Sequence, residues 1–184
     1  MNARMMRRLG GVAGGIAGAT ALTVALATPS AWATPNDAAK ARQGTASYHN
    51  SKVITDDSNW FQLYDVNGIT CIDDPAGGMG IHFVNGSRLN DPREIASQPE
   101  AVIYEPEKNG KLRLVAVEYV VTKSAWEQAG NTKPPHLYGK DFELTYAGNR
   151  YGLPDFYELH AWIWRENPNG MNEDWNPKVS CAAA

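Results

Sequence analysis

The chain has 184 residues and a formal net charge of −3, from 17 Lys and Arg against 20 Asp and Glu. Arg4, Arg7 and Arg8 are the only charged side chains among the first 33 residues, so the rest of the chain is more acidic than the total suggests. Without a basic run, nucleic acid and anionic lipid surfaces are excluded as main partners, because affinity for phosphate comes from clustered positive charge.

In chain order, the first element is a leader. The three arginines form a positive n-region, Val12 to Ala27 is uncharged and rich in Ala, Gly, Val and Leu, and Ala31-Trp32-Ala33 supplies the small residues of a cleavage site. Gly14, Gly15, Gly18, Thr20 and Thr23 make the run a poor spanning helix, which needs about 20 predominantly apolar residues. The expectation is a signal peptide over residues 1–33, a secreted or extracytoplasmic location, and no transmembrane anchor after cleavage. Arg7-Arg8 leaves both the general and the twin-arginine export routes open.

Residues 34–184 have the length of a single globular domain. Asn36 to about Thr55 favours helix, with Asp37 as N-cap and Ala38, Ala41, Tyr48 and Val53 as an apolar stripe. Short β-rich runs follow between turn residues: Gly68 to Ile72, Gly80 to Asn85, Ala101 to Glu105, Lys111 to Thr122, Asp141 to Tyr146 and Tyr157 to Arg165. Asn109-Gly110 reads as a hairpin turn, and Ser124 to Ala129 as a short helix capped by Ser124 and closed by Gly130. Leu112 to Val117 and Leu159 to Trp164 are apolar at nearly every position, as in strands covered on both faces. After a turn at Asn167-Pro168-Asn169-Gly170, the polar, Pro-broken segment Asp174-Trp175-Asn176-Pro177 is expected to pack back over the sheet. The predicted class is α+β: an N-terminal helix followed by a mainly antiparallel, curled or partial-barrel sheet of about six strands.

Both cysteines, Cys71 and Cys181, lie in this domain. In an oxidising compartment one intramolecular disulfide is the first expectation, with free thiols or an intermolecular bridge as alternatives. The bond would close a loop of about 110 residues, worth roughly 4–5 kcal/mol in the chain-entropy account.

Five blocks carry a resemblance. Gly78-Met79-Gly80-Ile81-His82-Phe83-Val84-Asn85, Val102-Ile103-Tyr104-Glu105-Pro106, Leu114-Val115-Ala116-Val117-Glu118-Tyr119, Tyr157-Glu158-Leu159-His160-Ala161-Trp162-Ile163-Trp164 and Trp175-Asn176-Pro177-Lys178-Val179-Ser180-Cys181 together resemble a family of exported bacterial single-domain proteins to which no activity is assigned. The resemblance covers most of residues 34–184 and implies export and one domain. It implies no substrate and no catalytic residue.

Three polar residues interrupt apolar strands. His82 lies between Ile81 and Phe83; Glu118 alternates with Leu112, Leu114, Ala116 and Val120; His160 alternates with Trp162 and Trp164. A carboxylate in such surroundings needs a donor, a cation or a proton. Two imidazoles and a carboxylate suit a divalent metal such as zinc or iron, with Glu105 as a further candidate ligand. A buried pair of Glu118 with one histidine, holding the sheet together, is the competing reading, since no short ligand motif joins the three. His49 and His136 read as surface residues. Tyr157, Trp162, Trp164 and Trp175 read as core before they read as a sugar platform. Asp73-Asp74 and Glu173-Asp174 read as solvated turns, as does the sequon Asn85-Gly86-Ser87. Nucleophile-elbow, P-loop and dinucleotide fingerprints are absent from the sequence. Three functions fit: a non-enzymatic domain binding a small ligand or a divalent metal, a metal-dependent enzyme using His82, Glu118 and His160, and a cell-envelope interaction module with a purely structural polar core.

Overall fold

The computed structural model describes residues 36–184, so the expected leader and its cleavage site lie outside the described residues. The first helix, α1 (Asp37–Thr45), starts where the Asn36 side chain accepts a hydrogen bond from the Ala39 amide at 2.9 Å. Asn36 is therefore the N-cap in place of Asp37, whose carboxylate accepts instead from the Tyr138 amide at 2.9 Å. Gly44 is required by packing: a Cβ there would stand 2.0 Å from the Ser97 carbonyl oxygen. The helix does not run to Thr55. Thr45 turns its hydroxyl back onto the Ala41 carbonyl at 2.7 Å, which weakens continuation. A 3₁₀ turn over Ala46–His49 and a one-turn helix α2 (Lys52–Thr55) follow. The restart shifts the helical phase, so Ile54 is buried and Val53 is exposed.

The main sheet is antiparallel throughout. Its strands are β1 (Trp60–Gln62), β2 (Cys71–Asp74), β3 (Gly77–Asn85), β4 (Ala101–Pro106), β5 (Leu112–Thr122), β8 (Glu143–Thr145) and β9 (Phe156–Ala161). They run in the order β1-β3-β4-β5-β9-β8, with β2 also paired to β3. The outer strands β1 and β8 do not meet, so the sheet is open and not a closed barrel. Strands β6 (His136–Leu137) and β7 (Lys140–Asp141) make a separate hairpin, turned by Tyr138 and Gly139 with φ of 55° and 73°. Asp141 thus belongs to this hairpin and not to the strand expected over Asp141 to Tyr146. The β4–β5 turn falls at Asn109-Gly110 as expected, with the Gly110 amide donating to the Glu107 carbonyl at 2.8 Å. Helix α3 (Lys123–Gln128) is capped by Thr122, two residues before the expected Ser124.

One face of the sheet carries Phe83, Val102, Tyr104, Val117, Tyr119 and Leu159 against Ala38, Ala41 and Ile54 of the helices. Two tyrosines end in hydrogen bonds: Tyr104 donates to the Tyr48 carbonyl and Tyr119 to the Ala96 carbonyl, each at 2.7 Å. The opposite face carries Ile103, Val115, Ala116 and Trp162 against Val179 of the C-terminal tail. A bulge divides β5 between these faces. Ile103 pairs with Ala116 but Tyr104 pairs with Leu114, so Val115 is the extra residue, and the alternation inverts there. Leu112 and Leu114 therefore belong to the helix-side core, and the expected shared face of Glu118 with them is corrected to Ala116 and Val120.

The tail folds back as expected. Cys181 is joined to Cys71 on β2, with Cα atoms 5.6 Å apart. Gly78 exchanges backbone hydrogen bonds with Asn176, and a Cβ at Gly77 would meet the Asn176 carbonyl carbon at 2.4 Å. Only glycine lets the two main chains approach this closely. Asn176 itself is fully buried, and its amide reaches toward the Glu166 carbonyl at 3.3 Å.

Candidate metal centre

Strand register places the three polar residues together. Glu118 on β5 is directly opposite His160 on β9, and Ala101 on β4 is directly opposite Glu118 on its other side. His82 on β3 pairs with Ile103, one position along β4 from this row on the same face. His82 and Glu118 thus stand two strands apart, about 10 Å between backbones. Their long side chains close that gap over the methyl group of Ala101. The His82 Nε2 atom lies 3.6 Å from Glu118 Oε2, and His160 Nε2 lies 3.8 Å from Glu118 Oε1. One ligand atom from each residue falls within 4.8 Å of the others. The two imidazoles meet edge to face with centroids 5.8 Å apart.

All three are buried: His82 is 2%, Glu118 6% and His160 2% exposed. None of the four ring nitrogens of the histidines has a hydrogen-bond partner within the protein. A buried polar atom without a partner costs about 1–3 kcal/mol, so the two Nε2 atoms, which face Glu118 only beyond hydrogen-bond distance, call for a further group. Zinc bonds near 2.0–2.1 Å in a tetrahedron separate its ligand atoms by about 3.3 Å, so a set with one atom from each residue within 4.8 Å has to draw in by side-chain rotation to grip an ion.

The electrostatics divide the two histidines. Burial, with the neighbouring His160 charge, drives His82 down to about 3, so its imidazole is neutral and one of its two nitrogens carries a free lone pair. Burial also pulls His160 down, but the carboxylates of Glu118 and Asp174 outweigh it and raise it to about 9. Glu118 is pushed up by burial against the pull of His160, with Glu158 and Asp174 adding to the rise. The metal-free cluster therefore holds on to protons that a cation would displace.

Asp174 completes the arrangement. Its Oδ1 lies 3.3 Å from His160 Nδ1, off the line of a hydrogen bond but at ion-pair distance. Nδ1 of His160 thus faces a carboxylate while Nε2 faces the cluster, the pattern that fixes the ring of a metal-bound histidine. The tail holds Asp174 there. Asn172 donates to the His160 carbonyl at 2.6 Å, Trp162 donates to the Glu173 carbonyl at 2.5 Å, and Asn167 donates to the Trp175 carbonyl at 3.0 Å. Glu158 shares the β9 face and accepts from the Thr145 hydroxyl. The sequence offered only a weak signal for Asp174, its place in a tail expected to cross the sheet.

The other sequence candidates are elsewhere. Glu105 does not join the three: its carboxylate accepts from the Ser180 amide at 3.2 Å and stands 3.9 Å from Arg113. A one-residue slip at the Val115 bulge accompanies its pairing with Arg113. His49 is exposed with its ring edge-on to Trp164 at 4.4 Å, and His136 is exposed with Nδ1 2.6 Å from Asp141. Tyr157 and Trp162 are buried, and Trp164 turns to the helices, donating to the Thr45 hydroxyl at 3.2 Å, so of the two tryptophans only Trp162 shares the face of His160. Asp73 and Asp74 are exposed, and Asn85 closes a turn onto the Ser87 amide at 3.1 Å. Among the described residues no helix is long and apolar enough to cross a membrane. Compared with models of protein families, with curated proteins and with solved structures, the chain matches none.

Proposed function

We propose that this is an exported domain that binds one divalent metal ion, zinc or iron(II), through His82, Glu118 and His160. The observation that carries the reading is the convergence of one ligand atom from each residue within 4.8 Å, in a buried setting where no imidazole nitrogen makes a hydrogen bond within the protein. Two nitrogens and a carboxylate oxygen suit both metals, and three protein ligands leave at least one position for water or a small ligand. Export is supported by the order of charge, apolar run and small residues before Thr34 and by the Cys71–Cys181 bond.

Elemental analysis of protein recovered after export, beside Glu118→Gln, tests the reading. The expected result is one equivalent of metal in the wild type and its loss in a variant that stays folded, because a neutral amide is a poor ligand for a divalent ion. Metal-free wild type with a variant destabilised by about 3–5 kcal/mol would instead identify a buried ion pair that only supports the sheet.

A further inference from the structure

Glu118 also borders a cavity of about 70 Å³. Its walls include Val84 and Val120 from the sheet, Phe61 and Leu63 from β1 and the segment after it, and Tyr151 and Leu153 from the loop before β9. Tyr151 connects the cavity to the cluster, because its ring centroid lies 6.5 Å from that of His82. The loop is held in place from the other side: the Val66 amide donates to the Arg150 carbonyl at 2.8 Å, and Arg150 reaches the buried carboxylate of Asp65 at 3.3 Å. Phe61 is both a wall of the cavity and 45% exposed, which puts the entrance at that residue.

We propose that this cavity holds the aliphatic tail of a short monocarboxylate whose head takes the open position on the metal. The inference rests on the metal reading above. Apolar walls select an apolar tail. The volume limits it, since about 70 Å³ has room for roughly two water-sized groups. Two neutral imidazoles and one carboxylate leave a divalent ion with one positive charge, which a single anionic oxygen donor balances. An exported thiol would be oxidised in the same compartment, so a carboxylate is the head that suits both the ion and the setting. Glu118 is the only charged residue lining the cavity, and no lysine, arginine or histidine is among its walls. Without the ion the only charge in the cavity wall is the carboxyl of Glu118, which does not attract an anion, so binding is expected to depend on the metal.

The test uses the exported protein loaded with cobalt(II), whose visible absorption reports each change of ligand, titrated with acetate, propionate, butyrate and hexanoate. Affinity is expected to rise about fourfold per methylene over the first additions and to fall at hexanoate, with no binding to metal-free protein. Leu153→Trp is expected to keep its cobalt and lose the gain from the longer tails, while Leu153→Ala moves the optimum to a longer chain. A flat series on cobalt-loaded protein, or equal binding without metal, overturns the ligand and leaves the metal centre standing. Failure to take up cobalt, seen before any carboxylate is added, overturns both.

Discussion

On the helix-covered face of the sheet, the buried hydroxyls of Tyr104 and Tyr119 end on main-chain carbonyls at 2.7 Å. On the opposite face, the ring nitrogens of His82 and His160 make no hydrogen bond within the protein; the two Nε2 atoms stand 3.6 and 3.8 Å from the Glu118 carboxylate and His160 Nδ1 stands 3.3 Å from Asp174. Both faces are buried, so the contrast is not one of exposure. Partnered polar groups in a core specify packing, whereas unpartnered ones raise the energy of the fold and persist where something else satisfies them. The first face is scaffold by this criterion and the second is a site.

The sharpest way to break the comparison is to cut one side chain from each face. Tyr119→Ala removes a fully buried ring and is expected to cost about 3–5 kcal/mol, read as the same shift of the urea midpoint with and without metal. His82→Leu removes a buried imidazole that hydrogen-bonds nothing. The metal-free protein is expected to gain about 1–3 kcal/mol, while metal binding is lost. If His82→Leu destabilises the metal-free fold as much as Tyr119→Ala does, the second face is scaffold too.

Much of this contrast could be read from residue order. Strands β3, β4 and β5 are long, nearly continuous apolar runs, and His82 on β3, Glu118 on β5 and His160 on β9 stand out as polar interruptions of such runs. Trp60–Gln62 went unrecognised because three residues carry no period. Val115 leaves no mark in the sequence as a bulge, since inserting one apolar residue into an apolar run changes nothing locally. It nevertheless turns Leu112 and Leu114 to the other face and accompanies the outward turn of Glu105. Asp174 was illegible for another reason: its approach to His160 depends on the tail crossing at Gly77 and Gly78 and on the bond to Cys71, contacts about 100 residues apart in the chain.

Asp174 offers a finer test, because its side chain is 44% exposed and contributes little to the core. In Asp174→Asn the ring of His160 loses the charge that holds it, while the three ligands remain. The expected effect is a 10–100-fold loss of metal affinity, and in the metal-free protein a lower urea midpoint below about pH 9, where Asp174 helps hold the charge of His160. Titration with a competing chelator measures it. Unchanged affinity would show that the tail only covers the sheet.

The smallest effect per step is the pH dependence, and its sign follows from the shifts. His160 is raised from 6.5 to about 9 in the folded protein, so the stability it contributes to the metal-free fold is complete below 6.5 and is lost as pH rises toward 9. Glu118, raised by burial, adds a loss of the same sign above the ordinary carboxyl range. His82, lowered to about 3, contributes its own loss only on acidification below 6.5, and above that pH it is neutral in both states. Raised carboxyls away from the centre, Glu100 at about 9 and Glu94 at about 7, weaken the fold with rising pH whether or not metal is bound. They cancel in a comparison of loaded with metal-free protein. What does not cancel is the competition at His160 and Glu118, where the ion must displace at least one proton. Metal affinity is therefore expected to rise about tenfold per pH unit for each proton expelled between pH 6.5 and 9, and the Tm gap between the two forms to widen over the same range. A gap that stays constant across that window would mean that the ion, if bound, is held by groups other than these two.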